Sequence, residues 1–261
     1  MVDNKLQLIA RAILNSKKVT VLTGAGVSTE SGIPDFRSKK TGLWNRFDSN
    51  LLSREFMYKN PEKFYELGIS LLSILKNGKK IKPNKAHFIL AQMENDGIIS
   101  SLITQNIDNL HSLAGSKNIY EVHGNMKKAY CVFCNNKYSF KVLYRKVLRG
   151  QIPPLCPSCG SILRTSVILF GDELNEEFYN ARNEAAASDL MLVIGSSLEV
   201  GPVNTLPMLS EKFIIINKDR TFFDSKAFIV LHESAGVALS ETYRLIKDSL
   251  LNSMADKIKY L

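Results

Sequence analysis

The sequence predicts an α/β fold: an open, mostly parallel sheet with helices on both faces and a smaller module beside it. Three observations point there. Short apolar or β-branched runs end at a glycine or a polar residue, amphipathic stretches of helical period separate them, and two segments with neither pattern break the alternation.

Leu6, Ile9, Ala10, Ile13 and Leu14 recur at helical spacing and define a helix over residues 3–16. Val19-Thr20-Val21-Leu22-Thr23 is a buried strand that meets a turn at Gly24. A helix over 84–96, stopped by Gly97, leads into a strand over 98–103, and residues 119–122 form another. Further strands fall at 190–194 (ending at Gly195), 213–216 (ending at Asn217) and 227–230. A last helix begins near Ala235 and carries Leu239, Tyr243, Ile246 and Leu250 on one face. The interruptions are read as one module, helical over 39–80 and cysteine-bearing over 124–164. The larger part then comprises residues 1–38, 81–123 and 165–261, with Trp44 assigned to the core.

The 261 residues, 45% of them hydrophobic, suffice for one large α/β domain or a core plus a smaller module. The net charge of +9 would suit nucleic acid. The lysines are scattered in short pairs such as Lys127-Lys128, with no block of five like charges, so a solvated surface is favoured and nucleic acid disfavoured as a partner. No apolar run approaches the roughly 20 residues that span a bilayer. Met1-Val2-Asp3-Asn4-Lys5 opens an amphipathic pattern and no apolar leader, which with reduced cysteines implies a cytoplasmic protein.

All four cysteines fall in two pairs, Cys131-x-x-Cys134 and Cys156-x-x-Cys159. Two knuckles with two thiolates each are what one tetrahedral Zn²⁺ needs. Four sulfurs leave no open position, so the site reads as structural and the chemistry lies elsewhere. A redox pair would need only one of the two.

Ligands of open parallel sheets bind beyond the carboxyl ends of the strands. That rule selects Thr23–Gly26, Thr104–Asp108, Gly195–Ser197, Asn217-Lys218 and the segment around Ala235. Gly24-x-Gly26 lets amides approach a diphosphate, and Ser196 and Ser197 offer a second patch. The full dinucleotide fingerprint is absent, because Thr29 stands at the third glycine and no acidic residue follows at the end of a second strand. Of four histidines, His87 reads as core or cap, His111 as a structural hydrogen bond, and His232 as surface without polar companions. His123, before a glycine at a strand end, is the candidate base.

The string Gly24-Ala25-Gly26-Val27-Ser28-Thr29-Glu30-Ser31-Gly32-Ile33-Pro34-Asp35-Phe36-Arg37-Ser38 is long and specific. With Thr104-Gln105-Asn106-Ile107-Asp108-Asn109-Leu110-His111, His123-Gly124, the paired cysteines and Gly195-Ser196-Ser197-Leu198, it resembles the sirtuins, NAD-dependent protein-lysine deacylases, in order over residues 19–240. The resemblance implies a Rossmann-like larger part, one structural Zn²⁺, NAD consumed as co-substrate, and acylated protein lysines as partners. It implies that Gly24, Ala25, Gly26, Thr29 and Arg37 hold the diphosphate, while Phe36, Ile107 and Asp108 receive nicotinamide. Gln105 and Asn106 would orient the ribose and a water, with Asn106 counted as catalytic. Gly195, Ser196, Ser197 and Asn217 would contact phosphate and ribose, Ala235 would lie near adenine, and His123 would be the general base.

The resemblance further implies a peptide added as a strand between Leu169-Phe170-Gly171 and Leu198-Glu199-Val200. Asp172 and Thr165 depart from the usual glutamate and proline. Tyr65 aligns with the tyrosine of a Tyr-x-x-Arg pair that holds acidic acyl groups in some members, but Gly68 stands at the arginine. A buried carboxylate without a cation is costly, so acetyl or longer apolar groups are expected and desuccinylation is expected to be weak. Three other readings compete: a protein ADP-ribosyltransferase on the same NAD site, a zinc-ribbon nucleic-acid binder, and a hydride-transferring dehydrogenase.

Overall fold

The structure is a computed structural model that describes residues 2–38, 42–45, 47–76 and 81–259. The Trp44 side chain, expected in the core, lies outside the described residues. The chain begins with α1 (Val2–Leu14), whose Leu6, Ile9, Ala10 and Ile13 are buried, and β1 (Val19–Thr23), buried along its whole length. After a 3₁₀ helix over Ala25–Ser31 and short turns come α2 (Arg54–Lys59) and α3 (Pro61–Lys76). Next are α4 (Lys85–Asn95), β2 (Ser101–Thr104), α5 (Leu110–Ala114) and β3 (Ile119–Glu121). The cysteine-bearing segment supplies β4 (Lys128–Cys131), β5 (Lys137–Ser139), α6 (Phe140–Leu148) and β6 (Leu163–Thr165). The chain then completes the main sheet with α7 (Glu176–Ala186), β7 (Leu190–Ile194), β8 (Lys212–Ile216), β9 (Ile229–Leu231) and α8 (Ala235–Lys259).

Six strands form one parallel sheet in the order β3-β2-β1-β7-β8-β9. Alternation along each strand feeds two cores. Val19, Val21, Leu192, Ile194, Ile214 and Ile216 pack with α1, α4 and α8, while Leu22, Met191, Val193, Phe213 and Ile215 pack with α7 and the 3₁₀ helix over Val203–Leu209. Apolar runs in β7 and β8, and the complete burial of β1, are the expected signature of strands covered on both faces.

The second sheet is antiparallel, in the order β5-β4-β6. Its core joins Ala129, Cys131, Leu143, Val147, Cys156 and Leu163 to Tyr65, Phe64 and Ile69 of α3. The helical and cysteine-bearing segments therefore share one hydrophobic cluster.

Two strands differ from expectation by more than one residue, and β3 and β8 by one residue each. The strand expected over 98–103 begins only at Ser101, because the Ile98 and Ile99 amides turn back to the Met93 carbonyl at the end of α4. The strand expected over 227–230 is β9, shifted to the residues that pair with Ile214–Ile216. The helix start at Asn84 and stop at Gly97 hold. Asn84 caps α4 in a capping box with His87, and Gly97 has φ +71. Among the described residues no helix is long and apolar enough to cross a membrane.

Candidate active site

The strand order places a crevice where the sequence could only list loop ends. The chain runs outward from β1 to β2 on one side and from β7 to β8 on the other, so β1 and β7 flank the point where the winding reverses. The loops beyond them touch: the Gly24 amide donates to the Ile194 carbonyl at 3.1 Å and the Gly26 amide to the Gly195 carbonyl at 2.8 Å. A Cβ on Gly24 would stand 2.7 Å from the Gly195 oxygen, and one on Gly26 2.8 Å from it. Gly195 itself has φ +62, a left-handed conformation that favours glycine. The sequence reading explained these glycines by access to a diphosphate. The structure adds that two loops cross here with no room for side chains.

The β2 loop forms the floor. Asn106, 8% exposed, donates from Nδ2 to the Gly24 carbonyl at 3.1 Å and to Ser28 Oγ at 3.2 Å. Ser28 Oγ donates onward to Asp108 Oδ2 at 2.7 Å, and Asp108 Oδ1 accepts from the Leu110 amide at 2.9 Å, at the start of α5. Gln105 Nε2 donates to Ser196 Oγ at 2.9 Å, tying the β2 loop to the β7 loop. Thr29 Oγ1 donates to the Gly26 carbonyl at 2.9 Å, so it braces the glycine turn.

Beneath this floor His87 and His111 pack with ring centroids 4.7 Å apart and ring planes tilted by 54°. His87 Nε2 lies 3.4 Å from Ser28 Oγ and His111 Nε2 lies 3.0 Å from Thr23 Oγ1. Both are structural, as read from the sequence. Burial disfavours their cations, lowering His87 to about 4 and His111 to about 3.

His123 follows β3. Its Nδ1 lies 3.1 Å from the Gln105 carbonyl, which can only accept, so Nδ1 carries the proton and Nε2 keeps its lone pair. Burial lowers its pKa from the ordinary histidine value, and the Gln105 bond partly offsets this. Gly124 behind it has φ +70, and an added Cβ would collide with the Ser166 carbonyl oxygen.

The remaining expected residues divide. Arg37 Nε pairs with Glu199 Oε2 at 2.9 Å, joining two residues the sequence reading had assigned to different ligands. Phe36 and Ile107 are half-buried in the same loops, and Ser197 is half-buried beside the buried Ser196. Asn217 Nδ2 donates to the Asp219 carbonyl at 2.8 Å, and Ala235 is buried at the first turn of α8. The neighbouring Gly236 amide donates to Glu30 Oε1 at 3.3 Å, so the glycine loop also reaches α8.

Along the expected peptide segment, the Phe170 amide and carbonyl already bond Leu52 and Arg54. The Leu169 amide donates to Asp172 Oδ2 at 2.8 Å, and Asp172 closes a nearly buried bidentate pair with Arg164. Gly171 and Glu199 make no backbone hydrogen bond to another described residue. Leu198 is buried with φ +55, a strained conformation for a leucine.

Tyr65 is 7% exposed and its hydroxyl donates to the Leu163 carbonyl inside the second core. One expectation is corrected. His232 has polar companions: Nδ1 lies 3.1 Å from the Asn217 carbonyl and Nε2 lies 3.3 Å from Asp224. It sits at the rim of a surface depression of about 440 Å³ that Lys5, Arg220 and Phe222 also line. Ser28 went unassigned in the sequence reading although it links Asn106 to Asp108; a small polar residue four positions beyond Gly24, inside an apolar-flanked turn, was the available signal.

The four cysteine sulfurs lie within 4.8 Å of one another, with Cys131–Cys159 at 3.4 Å and Cys134–Cys156 at 3.8 Å. Bonds of about 2.3 Å to a tetrahedral Zn²⁺ require sulfur separations of about 3.8 Å, so the set fits that ion. The cluster's acidity points the same way. Burial opposes ionisation of Cys156, but the Tyr138 hydroxyl and the Ser158 and Cys159 amides hold it down at about 6. Cys134 is pushed up to about 12: the Asn136 amide opposes this, but burial and the neighbouring sulfurs prevail. Four thiolates this close need a cation to ionise together.

Fold and crevice together define an NAD-type nucleotide site on a parallel sheet with a four-cysteine module. The model of the Sir2 family matches residues 24–202, and the chain belongs to that family. It is 50% identical to NAD-dependent protein deacetylase 2 of Caldanaerobacter subterraneus subsp. tengcongensis, over 94% of this chain and 97% of that protein. It is 39% identical to the NAD-dependent protein deacetylase of Thermotoga maritima, over 82% and 88% respectively. A solved Sir2 with a deacetylated p53 peptide and 3′-O-acetyl ADP-ribose superposes with a TM-score of 0.86 at 34% identity, covering 92% of this chain and 97% of that one. A Sir2 complex with p53 peptide and NAD⁺ gives 0.82 at 33% identity, covering 94% and 99%.

Proposed function

We propose that the chain is an NAD-dependent protein-lysine deacetylase. It would transfer the acetyl group of a modified lysine to the ADP-ribose of NAD and release nicotinamide and free lysine. The observation that carries this reading is the crevice between β1 and β7, where the crossed glycine loops meet a histidine with an unprotonated Nε2. The comparison proteins named as deacetylases support the activity, and none of those cited carries a name that favours ADP-ribosyl transfer to protein.

The geometry supports the following site roles. The Gly24–Gly26 turn, Thr29, Ser196 and Ser197 line the diphosphate position with amides and hydroxyls, and Arg37 adds a cation. Asp108, fixed by Ser28 and the Leu110 amide, presents a carboxylate to the nicotinamide amide beside Phe36 and Ile107. Gln105 and Asn106, locked by bonds to Ser196, Gly24 and Ser28, hold the ribose end. Asn217 and Ala235 take the adenosine end.

Departure of nicotinamide builds positive charge on the sugar, and anchoring both ends of NAD lowers that barrier by positioning. The acyl oxygen of the lysine bonds C1′ as the nicotinamide bond breaks. His123 Nε2 then accepts the proton of a ribose hydroxyl, that oxygen attacks the captured acyl carbon, one water adds, and the C–N bond breaks with the nitrogen leaving protonated as free lysine. The Gly171 and Glu199 backbones pair an extended peptide from both sides. Cys131, Cys134, Cys156 and Cys159 hold one structural Zn²⁺, which stabilises the module and takes no part in the chemistry. The division into residues 1–38, 81–123 and 165–261 against 39–80 and 124–164 belongs to the same proposal, as does a cytoplasmic location.

The test is incubation of an acetylated peptide with NAD, measuring nicotinamide and deacetylated peptide together. Equal amounts of both are expected. NAD loss with ADP-ribose mass added to protein, and no deacetylation, would overturn the reading.

A further inference from the structure

The charge of +9 is concentrated in one segment. Residues 122–171 contain eight lysines and arginines and no aspartate or glutamate, which leaves 26 basic against 25 acidic residues elsewhere. The scattered lysine pairs conceal this, because the segment is long and no single run is dense. With four thiolates and one Zn²⁺ counted, the segment carries +6, of which the Lys127 and Arg164 charges are met by Glu121 and Asp172 at its two ends.

Helix α6 displays part of that charge in a line. Leu143 and Val147 are buried against the small sheet, while Lys141, Arg145 and Arg149 at spacings of four face solvent. Their side chains make no hydrogen bond or ion pair with another described residue. Some other surface cations are paired, as in Lys18–Glu184, Lys59–Glu55, Arg244–Asp248 and Lys247–Asp96, while isolated ones such as Lys85, Lys117 and Arg182 form no such line. The helix rise separates successive members of the line by about 6 Å.

We propose that the outer face of α6 docks the phosphate backbone of duplex DNA. Phosphates of one strand recur every 3.4 Å along the duplex axis, so alternate phosphates match the helix spacing to within about 1 Å. Arginine suits phosphate because its fork of donors takes two oxygens at once. The missing carboxylates remove the repulsion that an ordinary mixed surface would exert. An acidic peptide offers neither fixed spacing nor tetrahedral oxygens. This surface is independent of the deacetylase reading.

The test is fluorescence anisotropy of a labelled 20-base-pair duplex with the full zinc-loaded chain. Three phosphate contacts predict a slope of log K against log salt near −2.7, an affinity loss of about 40-fold between 50 and 200 mM salt. The triple change Lys141→Gln, Arg145→Gln and Arg149→Gln keeps good helix formers and should flatten that slope. Its zinc content and NAD-dependent peptide turnover should stay as in the unaltered chain. A charge-matched control, Lys85→Gln, Lys117→Gln and Arg182→Gln, should retain the slope. The unaltered chain reports without any variant: no binding at 50 mM salt overturns the proposal. So does equal loss in the control, or polyglutamate of equal charge binding as tightly as the duplex.

Discussion

Replacing Asp172 by alanine should destabilise the chain strongly. Its side chain is 10% exposed and that of Arg164 is 6% exposed. Two parallel bonds at 3.0 and 2.5 Å join them, and the Leu169 amide adds a third at 2.8 Å. Without the carboxylate, the guanidinium keeps only the Val167 carbonyl at 3.0 Å and the face of Tyr130. Breaking a buried pair from one side costs about 3–5 kcal/mol because the remaining charge is stranded. At about 2–4 °C per kcal/mol for a chain of this size, Tm should fall by roughly 6–20 °C. Urea denaturation with zinc in the buffer measures the change. The Asp172→Glu variant keeps the charge and should lose less than about 1.5 kcal/mol. Because Asp172 also anchors Leu169, the KM for acetylated peptide should rise in Asp172→Ala. A loss below about 1 kcal/mol for the alanine variant would refute the idea that this pair is buried and mutually required.

Gly124→Ala combines a left-handed backbone with a collision at the Ser166 carbonyl, so it should lose several-fold in soluble yield and most turnover; near-normal turnover would contradict the packing behind His123. Stability should fall as pH drops below 6.5. His87 and His111 have lowered folded-state pKa values, so the unfolded chain binds protons there that the folded chain does not. The stability is complete above 6.5 and is lost progressively towards pH 4. By pH 5 the two together should cost up to about 4 kcal/mol, and a flat urea midpoint between pH 7 and 5 would count against their burial. A strong chelator should unfold the β4–β6 module, seen as loss of protease resistance near residues 124–164, because Cys131 and Cys156 are part of its small core. Unchanged resistance after verified metal loss would show that the core suffices alone.

Much of this architecture was legible because burial on both faces leaves a strand only apolar, β-branched or small residues. Val19–Thr23 and Leu190–Ile194 were located to the residue for that reason. Ile98 and Ile99 misled because their apolar side chains serve the end of α4, where the backbone turns. The loop ends that form the site could be named, but not their order. That β1 lies beside β7, separated by about 170 residues of chain, is a fact of topology that no local pattern encodes. Tyr65 shows the same limit in a helix, since its alignment fixed a position but not the direction its hydroxyl takes. Arg37 and Glu199, read as contacts to different ligands, also pair with each other, a link between two loops that spacing does not encode.

The most direct measurement is single-turnover analysis of His123→Ala with acetylated peptide and NAD. Zinc content and Tm close to the unaltered chain establish that it is folded. The account predicts that deacetylated peptide falls by at least about 100-fold, the usual contribution of a general base. It also predicts that nicotinamide release, which His123 does not assist, persists to a greater extent. Deacetylation by His123→Ala at the rate of the unaltered chain would contradict the account.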